Sequence, residues 1–178
     1  KYISVDRLIS QPTMASEYVS VGDYVEKSKA GTNFSADRVT PPQLAAMLEG
    51  ENTQALQLVS GIDTKGNASL MYEVADVKTW ANLGLHLAEK IKGAVALKKF
   101  RLSGDPEQQR QAIKHFEQAL AYWDEVIRIT RPIYRDMPLT HYNHNSYDEN
   151  KNNLFHWALI RDQVKADIDI AKNSVKGN

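Results

Sequence analysis

Apolar positions along this chain recur mainly at intervals of three and four residues, the period of helices that turn one face to a core. Ile113, Phe116, Ala119, Leu120, Trp123, Val126, Ile127 and Thr130 form one such stripe, which has to face a partner. A second face runs over about residues 69–101 through Leu70, Val74, Val77, Ala81, Gly84, Ala88, Ile91 and Val95. Its small residues at 81, 84 and 88 permit close approach of a neighbouring helix, and Trp80, Leu83 and Leu87 widen the stripe. A third covers about residues 153–173, with Trp157, Ile160, Val164, Ile168 and Ala171 inward and Lys165 to Asp169 an i,i+4 charge pair outward. The three tryptophans all fall at helical core spacing, so core packing is their expected role.

Punctuation residues set the boundaries. Thr40-Pro41-Pro42-Gln43 combines a hydroxyl at the N-cap, Pro at the first helical position and Gln three residues on, and starts a helix that reaches about Ser60. Asp105-Pro106-Glu107-Gln108 repeats the device, and Pro132 stops or kinks the helix it begins. Ser103-Gly104 leaves so short a connection that the helices on either side must form an antiparallel hairpin. Before residue 40 only Val21–Lys29, closed by Ala30-Gly31, looks helical, and strand-like alternation is confined to short pieces there. The predicted fold class is all-α: an antiparallel bundle of about four main helices over residues 40–178, with residues 1–39 an irregular N-terminal arm packed on it.

Composition narrows the function classes. The 178 residues include 22 Lys plus Arg against 22 Asp plus Glu, so no net field draws the chain to nucleic acid or anionic lipid. The absence of cysteine excludes disulfides, thiolate metal sites and thiol nucleophiles. No apolar run approaches the roughly 20 residues of a membrane span. The start, Lys1-Tyr2-Ile3-Ser4-Val5, lacks an initiating Met and a signal-peptide apolar region, which points to a mature product or a piece of a larger chain.

Candidate chemistry concentrates in the polar stretch between the last two helices, Thr140 to Asn153. Tyr142, Tyr147 and Trp157 offer ring faces on which a pyranose can stack, while His144, Asp148 and several Asn can bond its hydroxyls. A structured polar connector accounts for the same composition. A metal would need three or four converging ligands; His141, His144 and Asp148 match no standard spacing. His86 and Glu89 reverse the Glu-x-x-His order of di-iron bundles and are not duplicated, so a satisfied, partly buried His86 is expected instead. Asp124 reads as the i,i+4 surface partner of Arg128. No phosphate loop, nucleophile elbow or zincin motif occurs, and no catalytic residue, metal ligand or cofactor is assigned.

The runs Asp76-Val77-Lys78-Thr79-Trp80-Ala81-Asn82-Leu83-Gly84, Ala88-Glu89-Lys90-Ile91-Lys92-Gly93-Ala94 and Phe100-Arg101-Leu102-Ser103-Gly104-Asp105-Pro106 carry a resemblance, together with Arg38-Val39-Thr40-Pro41 and Ala119-Leu120-Ala121-Tyr122-Trp123. They resemble the helical C-terminal region of large secreted bacterial polysaccharide-active proteins, relatives of alpha-glucuronidase-type glycoside hydrolases. The resemblance implies a secreted, periplasmic or cell-surface location, a catalytic barrel on a separate domain, and a non-catalytic accessory role for this segment. The partners it implies are that catalytic domain or a second subunit, and polysaccharide at the 140–153 loop. Two other classes stay open: a self-contained binding or enzyme domain with a metal in the loop or bundle, and a protein-interaction bundle.

Overall fold

The computed structural model describes residues 2–138 and 154–177. Among them run six α-helices, α1 (Val5–Ser10), α2 (Val21–Lys29), α3 (Pro41–Val59), α4 (Ala68–Ser103), α5 (Pro106–Thr130) and α6 (Arg161–Asn173). A two-residue strand pair, β1 (Met137–Pro138) with β2 (Leu154–Phe155), is antiparallel, with Met137 opposite Phe155. The all-α expectation holds, and the bundle is built around α4, which packs on α5 and, through Gly84, Ala88, Ile91 and Lys92, on α3.

The caps are where the sequence places them. Thr40 donates from its backbone N–H to Gln43 Oε1 at 2.9 Å, and Asp105 Oδ1 accepts from Glu107 N–H at 2.9 Å. Gly104 closes α4 in the left-handed conformation at φ 78°, which only glycine adopts without strain, and α5 starts at once. Close approach marks both main interfaces. A Cβ on Gly93 would stand 2.5 Å from the Phe116 ring, and one on Gly84 2.2 Å from the Asn52 side chain. The α3, α4 and α5 contacts run in antiparallel order, as do those of α5 with α6, where Gln109 reaches the Ala171 carbonyl and Asp124 reaches Arg161.

The N-terminal segment is more ordered than the expected irregular arm. Six residues, Val5–Ser10, form a helix capped by Ser4, too short to display a period in the sequence. Its Val5 and Ile9, with Val21 and Val25 of α2, join Ala94, Leu97, Phe100, Phe116, Ile168 and Ala171 in one buried cluster. The arm therefore contributes to the same core as the bundle. A parallel bridge between Tyr18 and Val39 ties the following loop to the entrance of α3.

Several expectations need correction. Trp80 is 70% exposed, not core, and Val77 and Leu87 are exposed near it, so this strip of α4 is not covered by the other described helices. The last helix begins at Arg161, not near 153: β2 and a 3-10 turn, Trp157–Ile160, come first, with His156 Nδ1 accepting from Ala158 N–H at 3.0 Å and so capping that turn. Arg128 pairs with Glu125 at 2.5 Å, and Asp124 instead takes Arg161 in a bidentate contact at 2.6 and 2.7 Å, a geometry a guanidinium favours. Lys165 and Asp169 both lie outward and exposed.

Candidate functional site

Four of the five candidate glycan-contacting residues, Tyr142, His144, Tyr147 and Asp148, lie outside the described residues. The fifth, Trp157, is half-buried at the start of the 3-10 turn. Its ring stands edge-on to Phe155 with centroids 5.3 Å apart, and Tyr134 lies 6.2 Å away. Its carbonyl accepts the Trp123 indole N–H at 3.0 Å, anchoring the turn to α5. The Tyr134 hydroxyl donates to the Asp76 carboxylate, and that hydrogen bond, with partial burial behind it, pushes the phenol up to about 12.

Asp76 lies one helical turn before Trp80, so the Tyr134 contact opens onto the uncovered strip of α4. Tyr72, Trp80 and Leu87 on that strip are all exposed. An exposed Trp within a 36-residue helix presents a large apolar ring to solvent. Leu58 and Met47 on the outer side of α3 are exposed as well.

The strongest electrostatic perturbation lies inside the bundle, around residues that read as ordinary helix positions. Lys90 and Asp167, 5% and 2% exposed, form an ion pair at 2.5 Å between α4 and α6. The segment Tyr2–Val5 closes over it. Lys90 Nζ donates also to the Ile3 carbonyl at 2.5 Å and sits 3.7 Å from the Tyr2 ring centroid, while Asp167 Oδ1 accepts from Val5 N–H at 2.7 Å. An ammonium with two oxygens and an aromatic face, and a carboxylate with two donors, is the satisfied arrangement that a buried charge pair needs. Burial pulls Lys90 down and Asp167 up from their ordinary values, and their mutual attraction opposes both shifts.

His86 extends this cluster and matches the expectation of a buried, satisfied imidazole. Its Nδ1 lies 2.9 Å from the Ala119 carbonyl, which can only accept, so Nδ1 carries the proton and Nε2 accepts from the Tyr2 hydroxyl at 3.0 Å. Trp123 packs edge-on at 4.9 Å. Burial lowers the imidazole to about 4, with Lys90 nearby adding to the effect, and burial together with the Asp167 charge raises the Tyr2 phenol far above its usual value. Glu89 turns to another side of α4. It accepts from His115 Nδ1 at 2.6 Å and from Lys92 at 2.9 Å, hydrogen bonds that outweigh burial and hold its carboxyl below the usual range.

Chemically the interior cluster is a clasp: both nitrogens of His86 are engaged, and the Lys90–Asp167 pair is satisfied by the segment that closes over it. Among the described residues no group of three or more His, Asp and Glu converges as metal ligands do, and no helix is long and apolar enough to cross a membrane. Sequence reasoning missed Lys90 and Asp167 because each falls at a helix position where a charge is ordinarily solvated. The signal that could have found them is their helical register, which puts Lys90 in line with His86 and Asp167 between Val164 and Ile168. Comparison with known proteins finds no family model, no curated protein and no solved structure that matches this chain.

Proposed function

We propose that this chain is a non-catalytic helical accessory module of a secreted carbohydrate-active protein, which docks on a catalytic domain or a second subunit and lets the 140–153 loop border a glycan site. The observation that carries the reading is the exposure of Trp80 on the strip with Tyr72 and Leu87. The run Asp76–Gly84, which resembles polysaccharide-active proteins, is centred on that tryptophan. Trp157 supports the glycan part, since it stands with Phe155 and Tyr134 in an aromatic cluster next to the strands that flank the loop.

Affinity-gel electrophoresis against a panel of soluble polysaccharides tests the glycan part, and sedimentation velocity tests the docking part. The expected outcome is retardation by at least one polysaccharide, reduced in Trp157→Ala and Tyr142→Ala, and self-association or partner binding reduced in Trp80→Ala. A chain that is monomeric and runs unretarded, with the variants indistinguishable from it, removes the proposal. The same exposed strip favours one other reading, a protein-interaction bundle with no glycan role. That reading predicts association sensitive to Trp80→Ala and mobility unaffected by any polysaccharide.

A further inference from the structure

Two cavities meet at α1. The first, about 730 Å³, lies between the arm and the entrance of α3 and has an apolar wall that includes Leu8, Met14, Val19, Val39, Leu44 and Ile91. Its size is that of a small-molecule site, roughly 300–1,000 Å³. The second, about 870 Å³, lies between α1 and α2 and is lined mainly by polar and charged groups. Arg7, Gln11 and Ser20 line both, so the apolar chamber adjoins the polar cleft at α1.

Two ion pairs take up four of the charges in the cleft, and Asp23 on α2 and Arg7 on α1 stand outside them. Arg101 pairs with Asp6 at 2.7 Å and Lys98 with Glu26 at 2.7 Å. Arg7 stands exposed at the junction and makes no ion pair among the described residues. On α1 it is followed one turn later by Gln11, the residue that ends the helix, so a guanidinium and an amide donor lie on the same side of the chamber mouth.

We propose that the two cavities form a binding site for a single-chain amphiphile with a carboxylate head. The apolar tail occupies the chamber between the arm and α3, where it removes apolar surface from water. The head meets Arg7, whose planar fork matches a carboxylate, and takes a further hydrogen bond from Gln11. Met14, fully exposed at the lip, is an unbranched and adaptable side chain that can fold over the tail. None of the residues lining this site belongs to the Trp80 strip, so it stands independently of the accessory-module reading.

Titration of the full chain with dodecanoate, below its micelle concentration, tests the assignment by calorimetry and by two-dimensional amide spectra. Saturable binding at one equivalent is expected, with shifts at Leu8, Met14 and Val39. Arg7→Ala is expected to weaken it about tenfold, consistent with loss of one charge-assisted contact. Ala15→Trp, which fills the chamber from its wall, is expected to abolish it while the far-ultraviolet spectrum stays helical. A cationic amphiphile of the same chain length separates head recognition from tail burial, and it should bind at least tenfold more weakly. No saturable binding, equal binding of the cationic amphiphile, or shifts confined to residues outside the two cavities would each overturn the proposal; the amide spectra of the unaltered chain decide it even where a variant does not fold.

Discussion

Lys90 and Asp167 hold an ammonium and a carboxylate where water does not reach, and the sign of each substitution follows from what the remaining partner is left with. Asp167→Ala strands the Lys90 charge and frees the Val5 N–H, so urea denaturation should show a loss of about 3–5 kcal/mol. Replacing both partners, Lys90→Met with Asp167→Leu, should recover only part of that loss: an apolar pair of similar volume needs no desolvation, but the Val5 N–H and the Ile3 carbonyl still lose their partners. His86 carries one pH-dependent contribution, beside those of His156 and Glu89, which are also lowered. Its folded value is depressed to about 4, against an ordinary 6.5, so between those values the unfolded chain binds the proton that the folded chain refuses. Stability is then full above 6.5, falls as pH drops toward 4, and loses about 3 kcal/mol across that window. Asp167, raised by burial, acts in the opposite sense above 3.8, so the His86 contribution is read as the difference between the native chain and His86→Gln, whose slope in this window should flatten. The burial of His86 was legible from its place on an apolar helix, but its partners were not: Tyr2 lies 84 positions away, and no local pattern reports a contact of that separation.

Helices were legible where their ends are chemical. Thr40-Pro41-Pro42-Gln43 and Asp105-Pro106 name their own first turns, and Gly104 names the end of α4. Where the boundary depends on a distant contact it was not legible. The start of α6 is displaced from the periodic one because His156 caps a 3-10 turn whose Trp157 carbonyl is fixed by Trp123 on α5, a tertiary constraint with no local signature. Periodicity makes the face of α4 one broad stripe, yet Trp80 and Leu87 are exposed, since it marks an apolar strip without saying whether a neighbour within the chain covers it. Glycines sharpen the element scale into a test. Gly93→Ala places a methyl 2.5 Å from Phe116, a ring held in the core, and should destabilise by about 1–3 kcal/mol despite the better helix propensity. Gly50→Ala, in the exposed interior of α3 with no atom within 4 Å of its new Cβ, should raise stability by about 0.5–1 kcal/mol. The two substitutions are chemically identical, so opposite shifts of the urea midpoint isolate the packing contribution at the α4–α5 contact.

At the scale of the whole molecule, connection lengths made the antiparallel order of the main helices readable, while the role of the N-terminal segment depends on where its few apolar residues land. Val5, Ile9, Val21 and Val25 sit in the cluster that also holds Leu97, Phe116 and Ile168, and Tyr2–Val5 seals the Lys90–Asp167 pair through backbone hydrogen bonds. A segment that supplies core volume and satisfies a buried charge cannot leave without exposing both. Residues 2–29 should therefore unfold with the bundle in one cooperative step rather than peel away first. Two probes on the two parts check this. Trp123, packed against Tyr2 and His86, reports through fluorescence on the contact between segment and bundle once Trp80 is replaced by Phe to remove its solvent-exposed signal, while Trp157 reports on the turn beside it. Helicity at 222 nm reports on α3, α4 and α5. Coincident urea midpoints are expected for both signals, and Val5→Ala should lower the two together by about 1–3 kcal/mol, because the cavity it opens belongs to the shared core. A fluorescence transition that precedes the loss of helicity, with Val5→Ala moving only the first, would show instead that residues before α3 are an independent arm whose docking adds to the bundle without completing it.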